Sequence, residues 1–235
     1  MSGAIKPPWI TKPDFYRTPF NYCDRWCEKC HLTEICRVFQ DTEKSRQKFI
    51  KEGKDPDSLE CVFETIKESF EQTAKLLKQD AKRLGIDVSK INLEEEKEKA
   101  PADFPLYKLI IKFSKKLEGL LSELRFVPME ADPVLVIENT EIVSYYHLML
   151  PAKIYRSCLS KTEEDAGEED WYKDSKTSAF IALNALLQIT EALSNLAYHK
   201  PLVEFHKKIA SLAQISINLA KVVSLEFDLE SKPSE

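Results

Sequence analysis

The sequence predicts an all-α protein, an up-and-down bundle of four or five long helices with a cysteine-rich metal-binding segment near its N-terminus. Three observations predict this fold class. Apolar residues recur at intervals of three and four along several long segments, which is the period of one buried helix face. Helix start and stop signals bracket these segments. No window shows the apolar–polar alternation of a strand over more than a few residues.

The first elements are short. Residues 1–22 are rich in proline and aromatic side chains, and we expect an extended arm lying over a hydrophobic surface. A short polar helix is predicted from Asp41 to Lys51. The first long helix is predicted to begin with Asp55 as its cap and Pro56 at its first position, and to end at Gly85. Its repeating residues predict one buried face, formed by Leu59, Val62, Phe63, Ile66, Phe70, Thr73, Leu77, Ala81 and Leu84.

The second and third long helices follow an acidic linker at residues 92–99. The second begins near Pro105 and has its own apolar stripe. The third is predicted to have Asp132 as its cap and to run to about Leu159, with a kink at Pro151.

The last two helices follow a polar, acidic loop at residues 160–173. They are predicted over about Ser175–Tyr198 and Pro201–Phe227. The chain is therefore predicted to divide into an N-terminal arm with the metal-binding segment, residues 1–54, and a helical bundle, residues 55–230.

Composition excludes several function classes. None of the 5 glycines belongs to a phosphate-binding loop motif. A net charge of −5 gives no general attraction to nucleic acid. The first residues lack the order of a secretory signal, and polar residues interrupt the least charged stretch, residues 177–199, which argues against a membrane span. We therefore expect a cytoplasmic protein.

Four cysteines carry the strongest chemical signal. Cys23, Cys27, Cys30 and Cys36 have the spacing CxxxCxxCxxxxxC within fourteen residues. In a reducing cytoplasm, closely spaced cysteines are metal ligands or redox groups more often than structural disulfides. Because all four thiols lie in one short stretch, they can converge on one centre.

Two metal centres compete for these ligands. Structural zinc usually takes two short cysteine pairs separated by a longer segment, and no such segment is present here. A [4Fe–4S] cluster is wider than one ion and suits ligands at steps of three to six residues along a chain that wraps around it. The spacing favours the cluster and leaves zinc as the alternative. Hydrophobic shielding of the centre is expected from Tyr22, Trp26, Ile35 and Phe39.

Other chemistries also match parts of the segment. A redox disulfide without metal stays open. Cys27–His31 matches the CxxCH haem-attachment string, but attachment requires export. Cys23, Cys27 and Cys30 have the spacing of radical-SAM enzymes, but no alternating β/α pattern follows. Cys61 and Cys158 lie in predicted helices and are expected to fill the core.

The segment resembles known iron–sulfur loops. Its CxxCxxxxxC part, Cys27 to Cys36, is similar to the cluster loop of endonuclease III-type DNA glycosylases and to the ligand spacing of WhiB-type regulators and AddB-type nucleases. The string Tyr22–Glu28, YCDRWCE, followed by a helical body, resembles an uncharacterised bacterial family of helical proteins with a cysteine motif. The first resemblance implies a cluster type, and the second implies no activity.

The bundle offers a second candidate site. Glu138, Glu141 and Glu191 lie on polar stripes of their helices, with His147, His199 and His206 as additional ligands for metal or a small molecule. Ferritin-like di-iron bundles have Glu-x-x-His pairs, and this sequence has none. The alternative interpretation is hydrogen-bonded polar groups in a central or interface helix.

Three functions follow from these sites. The first is a non-enzymatic [4Fe–4S] protein that senses redox state or transfers electrons. The second is a zinc-stapled protein-interaction module, and the third is an enzyme with a carboxylate metal site in the bundle. In the first two the helical body meets a protein partner or a second copy of itself. His31 is the only histidine before His147, so no nucleophile–base pair favours catalysis near the cysteines.

Overall fold

The structure, a computed structural model, describes residues 3–87, 100–125, 133–164 and 174–229. All regular elements in these ranges are helical, apart from one isolated antiparallel bridge between Ala4 and Cys23. The prediction of an all-α protein is confirmed. The seven α-helices are α1 (Lys12–Arg17), α2 (Arg37–Lys51), α3 (Leu59–Leu84), α4 (Pro105–Leu124), α5 (Pro133–Glu164), α6 (Asp174–Ala197) and α7 (His206–Glu226).

The main core lies among the four long helices α4–α7. Helix α5 packs against α4 and α6, and α7 packs against α6 and α4. Each helix contributes an apolar stripe because its leucine, isoleucine and phenylalanine residues recur every three or four positions. The fully buried centre of this core includes Ile110, Leu117, Leu120, Leu150, Ile154, Leu186, Ile189 and Leu193.

Helix α6 is the most enclosed of the four. It packs against α5 and α7, and small side chains such as Ala182 and Ala185 are buried along it, which allows neighbouring backbones to approach closely. Ser216 of α7 donates a 2.9 Å hydrogen bond to the carbonyl oxygen of Leu186. That bond satisfies a buried hydroxyl inside the apolar interface.

The chain forms two compact units. The first comprises Met1–Leu32 and Lys99–Glu235, and the second comprises Thr33–Glu98. Within the second unit, Lys48 of α2 forms a 2.6 Å ion pair with Glu68 of α3. The predicted division into an arm with the metal-binding segment, residues 1–54, and a helical bundle, residues 55–230, stays a prediction.

Helix α3 begins three residues later than predicted. Ser58 is its cap, with a side chain that accepts a hydrogen bond from the backbone N–H of Cys61. Asp55 instead accepts a 3.0 Å bond from the N–H of Asp57, so that Asp55 and Pro56 belong to a turn before the helix. The predicted end at Gly85 is confirmed, because this glycine adopts the left-handed conformation, φ 70°, that closes many helices.

The other long helices also depart from the sequence-based bounds. Helix α5 includes Pro151 in its interior and ends at Glu164, five residues beyond the predicted Leu159. The segment predicted to open the last helix is a 3₁₀ turn, Lys200–Phe205, and α7 proper begins at His206. The acidic linker at 92–99, the cap Asp132 and most of the acidic loop lie outside the described residues.

The apolar face of α3 is exposed rather than buried. Leu59 is 75% exposed and Phe70 is 73% exposed. Periodicity identified the apolar side of the helix correctly, but it carries no information on what covers that side. The predicted burial of these side chains is therefore wrong, and the finding also applies to Val62, Phe63, Ile66, Leu77 and Leu84.

Two core helices meet the length and composition of a membrane span. They are Asp174–Ala197 and Leu202–Glu226, each with a mean hydropathy of 1.2. Buried residues make up 50% and 44% of their most apolar windows. Core helices of non-membrane proteins meet the same criteria, so the cytoplasmic location stays a prediction.

Candidate metal centre

The first three cysteines lie in a segment that the chain fixes at both ends. The 3₁₀ turn Pro19–Tyr22 leads into Cys23, which pairs with Ala4 in the antiparallel bridge. A second 3₁₀ turn, Cys27–Lys29, ends at Cys30. The N-terminal arm therefore folds back along the cysteine segment. The prediction of an extended arm is wrong over Lys12–Arg17 and Pro19–Tyr22, which are helical.

Asp24 is the buried anchor of this segment. Its carboxylate accepts bonds of 3.0 Å from the backbone N–H groups of Gly3 and Trp26. It also accepts a 2.6 Å bond from the hydroxyl of Tyr146, and the hydroxyl of Tyr145 donates a 2.8 Å bond to the carbonyl oxygen of Asp24. A buried carboxylate costs free energy unless it is hydrogen-bonded, and here several donors satisfy it. These bonds hold the cysteine segment against α5.

The backbone around this anchor is unusual at two positions. Arg25 has a φ of 67°, in the left-handed region that non-glycine residues rarely adopt. Gly3 has a φ of 101°, and a Cβ atom built on it would lie 2.8 Å from the Sγ atom of Cys30. The chain therefore requires glycine at position 3, where its backbone lies directly against a cysteine.

An aromatic cluster covers the segment on the α5 side. The buried ring of Trp26 stacks on Tyr145 at 4.2 Å between centroids, with 15° between planes, and meets Tyr146 edge-on at 5.6 Å. The Lys29 ammonium lies 4.2 Å from the Trp26 ring and forms a 2.6 Å ion pair with Glu141, also of α5. Tyr22 and Trp26 are buried as predicted for a shielding shell, whereas Ile35 is exposed.

The thiols have different surroundings. Burial raises the pKa of Cys23, while the backbone N–H of Arg25 and the charges of Arg25 and Lys153 act in the opposite direction. The Cys23 thiol donates a 3.4 Å hydrogen bond to the carbonyl oxygen of Phe20. Cys30 Sγ accepts a 3.4 Å bond from the N–H of Leu32. The Cys23 thiol is thus a hydrogen-bond donor, whereas the Cys30 sulfur is an acceptor.

Cys36 belongs to the second compact unit and is the N-terminal cap residue of α2. Its side chain is buried.

No group of three or more histidine, cysteine, aspartate or glutamate side chains in the described ranges is arranged to hold a metal ion. The four sequence-predicted ligands are close along the chain, and the structure fixes the first three on one segment. The chemistry of the donor set, four thiols, fits an iron–sulfur cluster or zinc.

The bundle carboxylates have separate environments. Glu141 pairs with Lys29, whereas Glu138 and Glu191 are exposed. The Nδ1 atom of the buried His147 donates to backbone carbonyl oxygens of its own helix, at 2.7 Å and 3.2 Å. His206 Nε2 lies 3.1 Å from the carbonyl oxygen of His199. These contacts are those of hydrogen-bonded structural residues.

The sequence assigned no role to Asp24, Gly3 or Lys29. A local signal existed for Asp24, because an aspartate two residues before a turn residue commonly accepts its backbone N–H. The partner Tyr146 is 122 residues away, and no local pattern joins the two. In comparisons of sequence and structure, no protein-family profile, curated protein or solved structure matches this chain.

Proposed function

We propose that Cys23, Cys27, Cys30 and Cys36 together bind a [4Fe–4S] cluster, and that the protein is a redox sensor or one-electron carrier rather than an enzyme. The observation that carries the proposal is the close spacing of four thiols within fourteen residues. When bound, a cluster of this kind supplies a reversible one-electron change. The resemblance to known iron–sulfur loops, which covers this stretch alone, supports the same cluster type.

The surroundings of the cysteines support a redox role. Burial raises the pKa of Cys23, and the positive side chains Arg25 and Lys153 offset part of this rise; nearby positive charge favours the anionic thiolates of a cluster. The ring of Trp26, in the cysteine segment, stacks on the ring of Tyr145 of α5. Hydrogen bonds to sulfur and limited solvent access set the reduction potential of such centres.

Metal binding is expected to order residues 23–36 further. A preformed metal site is rare in a chain without its metal, and binding free energy is then used to organise the ligands. Asp24 already fixes the start of this stretch on α5, which leaves a short segment to rearrange. The body that presents the centre to a protein partner is proposed to be an up-and-down bundle, since α4–α7 pack in a closed ring.

Anaerobic purification from iron-supplied cells tests the proposal. The expected product is brown, with broad visible absorption from thiolate-to-iron charge transfer, and contains iron and acid-labile sulfide in equal amounts. Each of the four single Cys→Ser variants is expected to lose iron. The matched control is Cys61→Ser, which removes a buried thiol of α3 and is expected to keep the full iron content.

Two results would contradict the cluster. Colourless protein with one zinc per chain would replace it with the zinc-stapled interaction module. Full iron content in a variant lacking both Cys27 and Cys36 would show that the four thiols do not share one centre. A third candidate, a carboxylate metal enzyme, would require metal binding that depends on Glu138, Glu141 and Glu191.

A further inference from the structure

Helix α4 carries a row of lysines on the side that faces away from the core. The row consists of four exposed residues, Lys108, Lys112, Lys115 and Lys116. Residues three and four positions apart share one face of a helix, so the four residues lie along a strip about 12 Å long. No acidic residue occurs from position 105 to position 117. This half of α4 is therefore a strongly positive surface in a chain whose net charge is −5.

The row opposes the stability of its own helix in two ways. Lys112 lies four residues from both Lys108 and Lys116, a spacing at which like charges repel each other. The first turn of α4 contains no acidic residue, and positive charge near the N-terminus of a helix opposes the helix dipole. In the part of the chain that the structure describes, no carboxylate forms an ion pair with any of the four lysines. Among the described residues the repulsion is therefore uncompensated, and an external anion would relieve it.

Helix α7 extends this positive surface. Lys208 of α7 forms a 2.7 Å ion pair with Glu123, near the C-terminal end of α4, and the two helices pack antiparallel. Residues 207–225 of α7 contain no acidic residue and three lysines, Lys207, Lys208 and Lys221. All three are exposed. The adjoining outward sides of residues 105–117 and 207–225 thus carry seven lysines, and we call this surface the lysine face.

Uncharged hydrogen-bonding groups lie between the lysines of α7. Ser211, Gln214 and Asn218 are exposed, and the Gln214 amide donates a 3.2 Å bond to the side-chain oxygen of Asn218. Lysine, serine, glutamine and asparagine side chains supply many of the hydrogen bonds that proteins make to the phosphates and sugars of DNA. The structure describes α4 and α7 over their whole length, and neither helix exposes an aromatic or arginine side chain. The lysine face therefore has no group that would stack on an unpaired base.

We infer that the lysine face binds the phosphate backbone of a nucleic acid duplex without reading its sequence. A duplex presents regular rows of negative charge with its bases paired inside, which suits lysines that have no stacking or bidentate base-reading groups beside them. An acidic protein would also attract the lysines, but the uncharged groups of α7 match a backbone that accepts hydrogen bonds along its whole length. Outside the lysine face, acidic residues outnumber basic ones and repel a polyanion, so binding depends on this face and weakens steeply with salt. The inference does not depend on the cysteines.

Fluorescence anisotropy of a labelled DNA duplex, titrated with the intact protein, tests the inference. The logarithm of the association constant is expected to fall linearly with the logarithm of the salt concentration, with a slope of about −0.9 for each phosphate neutralised. The variant Lys108→Gln/Lys112→Gln/Lys115→Gln is expected to bind at least about tenfold more weakly in low salt and to have a shallower slope. A wild-type protein that fails to bind the duplex in low salt would overturn the inference.

A control variant separates the lysine face from the overall charge of the chain. Lys67→Gln/Lys75→Gln/Lys78→Gln removes the same charge from exposed positions of α3, which belongs to the other compact unit. Its affinity for the duplex is expected to stay within about twofold of the wild type, because charges beyond a Debye length are screened. Equal losses of affinity in the α3 and α4 variants would overturn the assignment to the lysine face.

Further probes distinguish the duplex from other anions. Poly-L-glutamate stands for an acidic protein, and vesicles containing phosphatidylserine stand for a lipid surface; binding of either one without binding of the duplex at the same ionic strength would overturn the inference. Tighter binding of a single strand than of the duplex would do so as well. Because the α4 substitutions relieve repulsion between like charges, that variant is expected to be at least as stable in urea as the wild type. If circular dichroism shows that it is unfolded, Lys207→Gln/Lys221→Gln on α7 provides the same test.

Discussion

The phenol of Tyr146, in the middle of α5, donates a 2.6 Å hydrogen bond to the buried carboxylate of Asp24. This bond connects the cysteine segment to the main core across 122 residues of sequence. Burial raises the pKa of Tyr146, and the hydrogen bond to Asp24 raises it further. The carboxylate of Asp24 is thus one of the attachments of the cysteine segment to α5, together with the Tyr145 hydrogen bond and the Lys29–Glu141 ion pair.

Removal of this bond is expected to destabilise the protein. Tyr146→Phe leaves the Asp24 carboxylate with one donor fewer in a buried site, which costs about 1–3 kcal/mol of unfolding free energy. Urea denaturation measures the change. The control Tyr16→Phe, at an exposed tyrosine of α1, is expected to stay within about 0.5 kcal/mol of wild type. Equal stabilities for the two variants would refute the anchoring role of Tyr146.

Gly3 is expected to tolerate no side chain. Gly3→Ala places a methyl group 2.8 Å from Cys30 Sγ on a backbone with φ 101°, so the arm must move away from the cysteine. Gly53→Ala is the matched control, since Gly53 also has a positive φ, 72°, with nothing within 4 Å of the added carbon. It should cost about 1 kcal/mol for the left-handed backbone alone. Gly3→Ala should lower the free energy of unfolding by more than Gly53→Ala does, and it should speed alkylation of Cys30 in metal-free protein. Equal losses of unfolding free energy for the two variants would show that the close approach of Gly3 to Cys30 is unimportant.

Cys158 is expected to be an unreactive thiol. Burial raises its pKa to about 11, so it stays protonated where ordinary cysteines, with pKa values of about 8.5, ionise. At pH 8, iodoacetamide should modify it far more slowly than the half-buried Cys27 of metal-free protein.

The raised pKa of Cys158 also predicts that the free energy of unfolding depends on pH. Because the folded-state pKa lies above the unfolded value, the contribution of this thiol is fully present below about pH 8.5 and is lost as the pH rises toward 11. The variant Cys158→Ala should show a smaller decrease in unfolding free energy over this interval. An unchanged slope would contradict the assignment to Cys158.

The slowest amide hydrogens are expected in α6 and α7, within residues 179–197 and 205–223. Leu186, Leu193 and Ile209 are fully buried there, so exchange requires opening of the main core. Hydrogen-exchange mass spectrometry measures this directly. Helix α2 provides the comparison, since few of its side chains are buried; equal exchange rates in α2 and α6 would show that α6 is not central.

Features set by neighbouring residues could be predicted from the sequence, whereas features set by contacts between distant parts of the chain could not. Local signals identified the helices, and Gly85 marked the end of α3 correctly because a left-handed cap is a property of a few consecutive residues. The start of α3 was misplaced because Ser58 and Asp55 are both good caps, and only the turn geometry selects between them.

Long-range relationships could not be predicted in this way. The cysteine spacing identified Cys23–Cys36 as the candidate site, yet the role of Asp24 depends on Tyr145 and Tyr146 of a distant helix. Likewise, Phe70 was assigned to a buried face because it lies on an apolar stripe, whereas burial depends on what packs there.

The closed packing of α4–α7 has a consequence for the order of folding. The contacts α4 to α5, α5 to α6 and α6 to α7 join neighbours in the chain, and such local contacts form rapidly. The bond between Asp24 and Tyr146 closes a loop of more than a hundred residues, which carries a larger entropic cost. We therefore expect the bundle to assemble first and the cysteine segment to dock on the folded bundle, so that the proposed metal centre would form only after the core has collapsed.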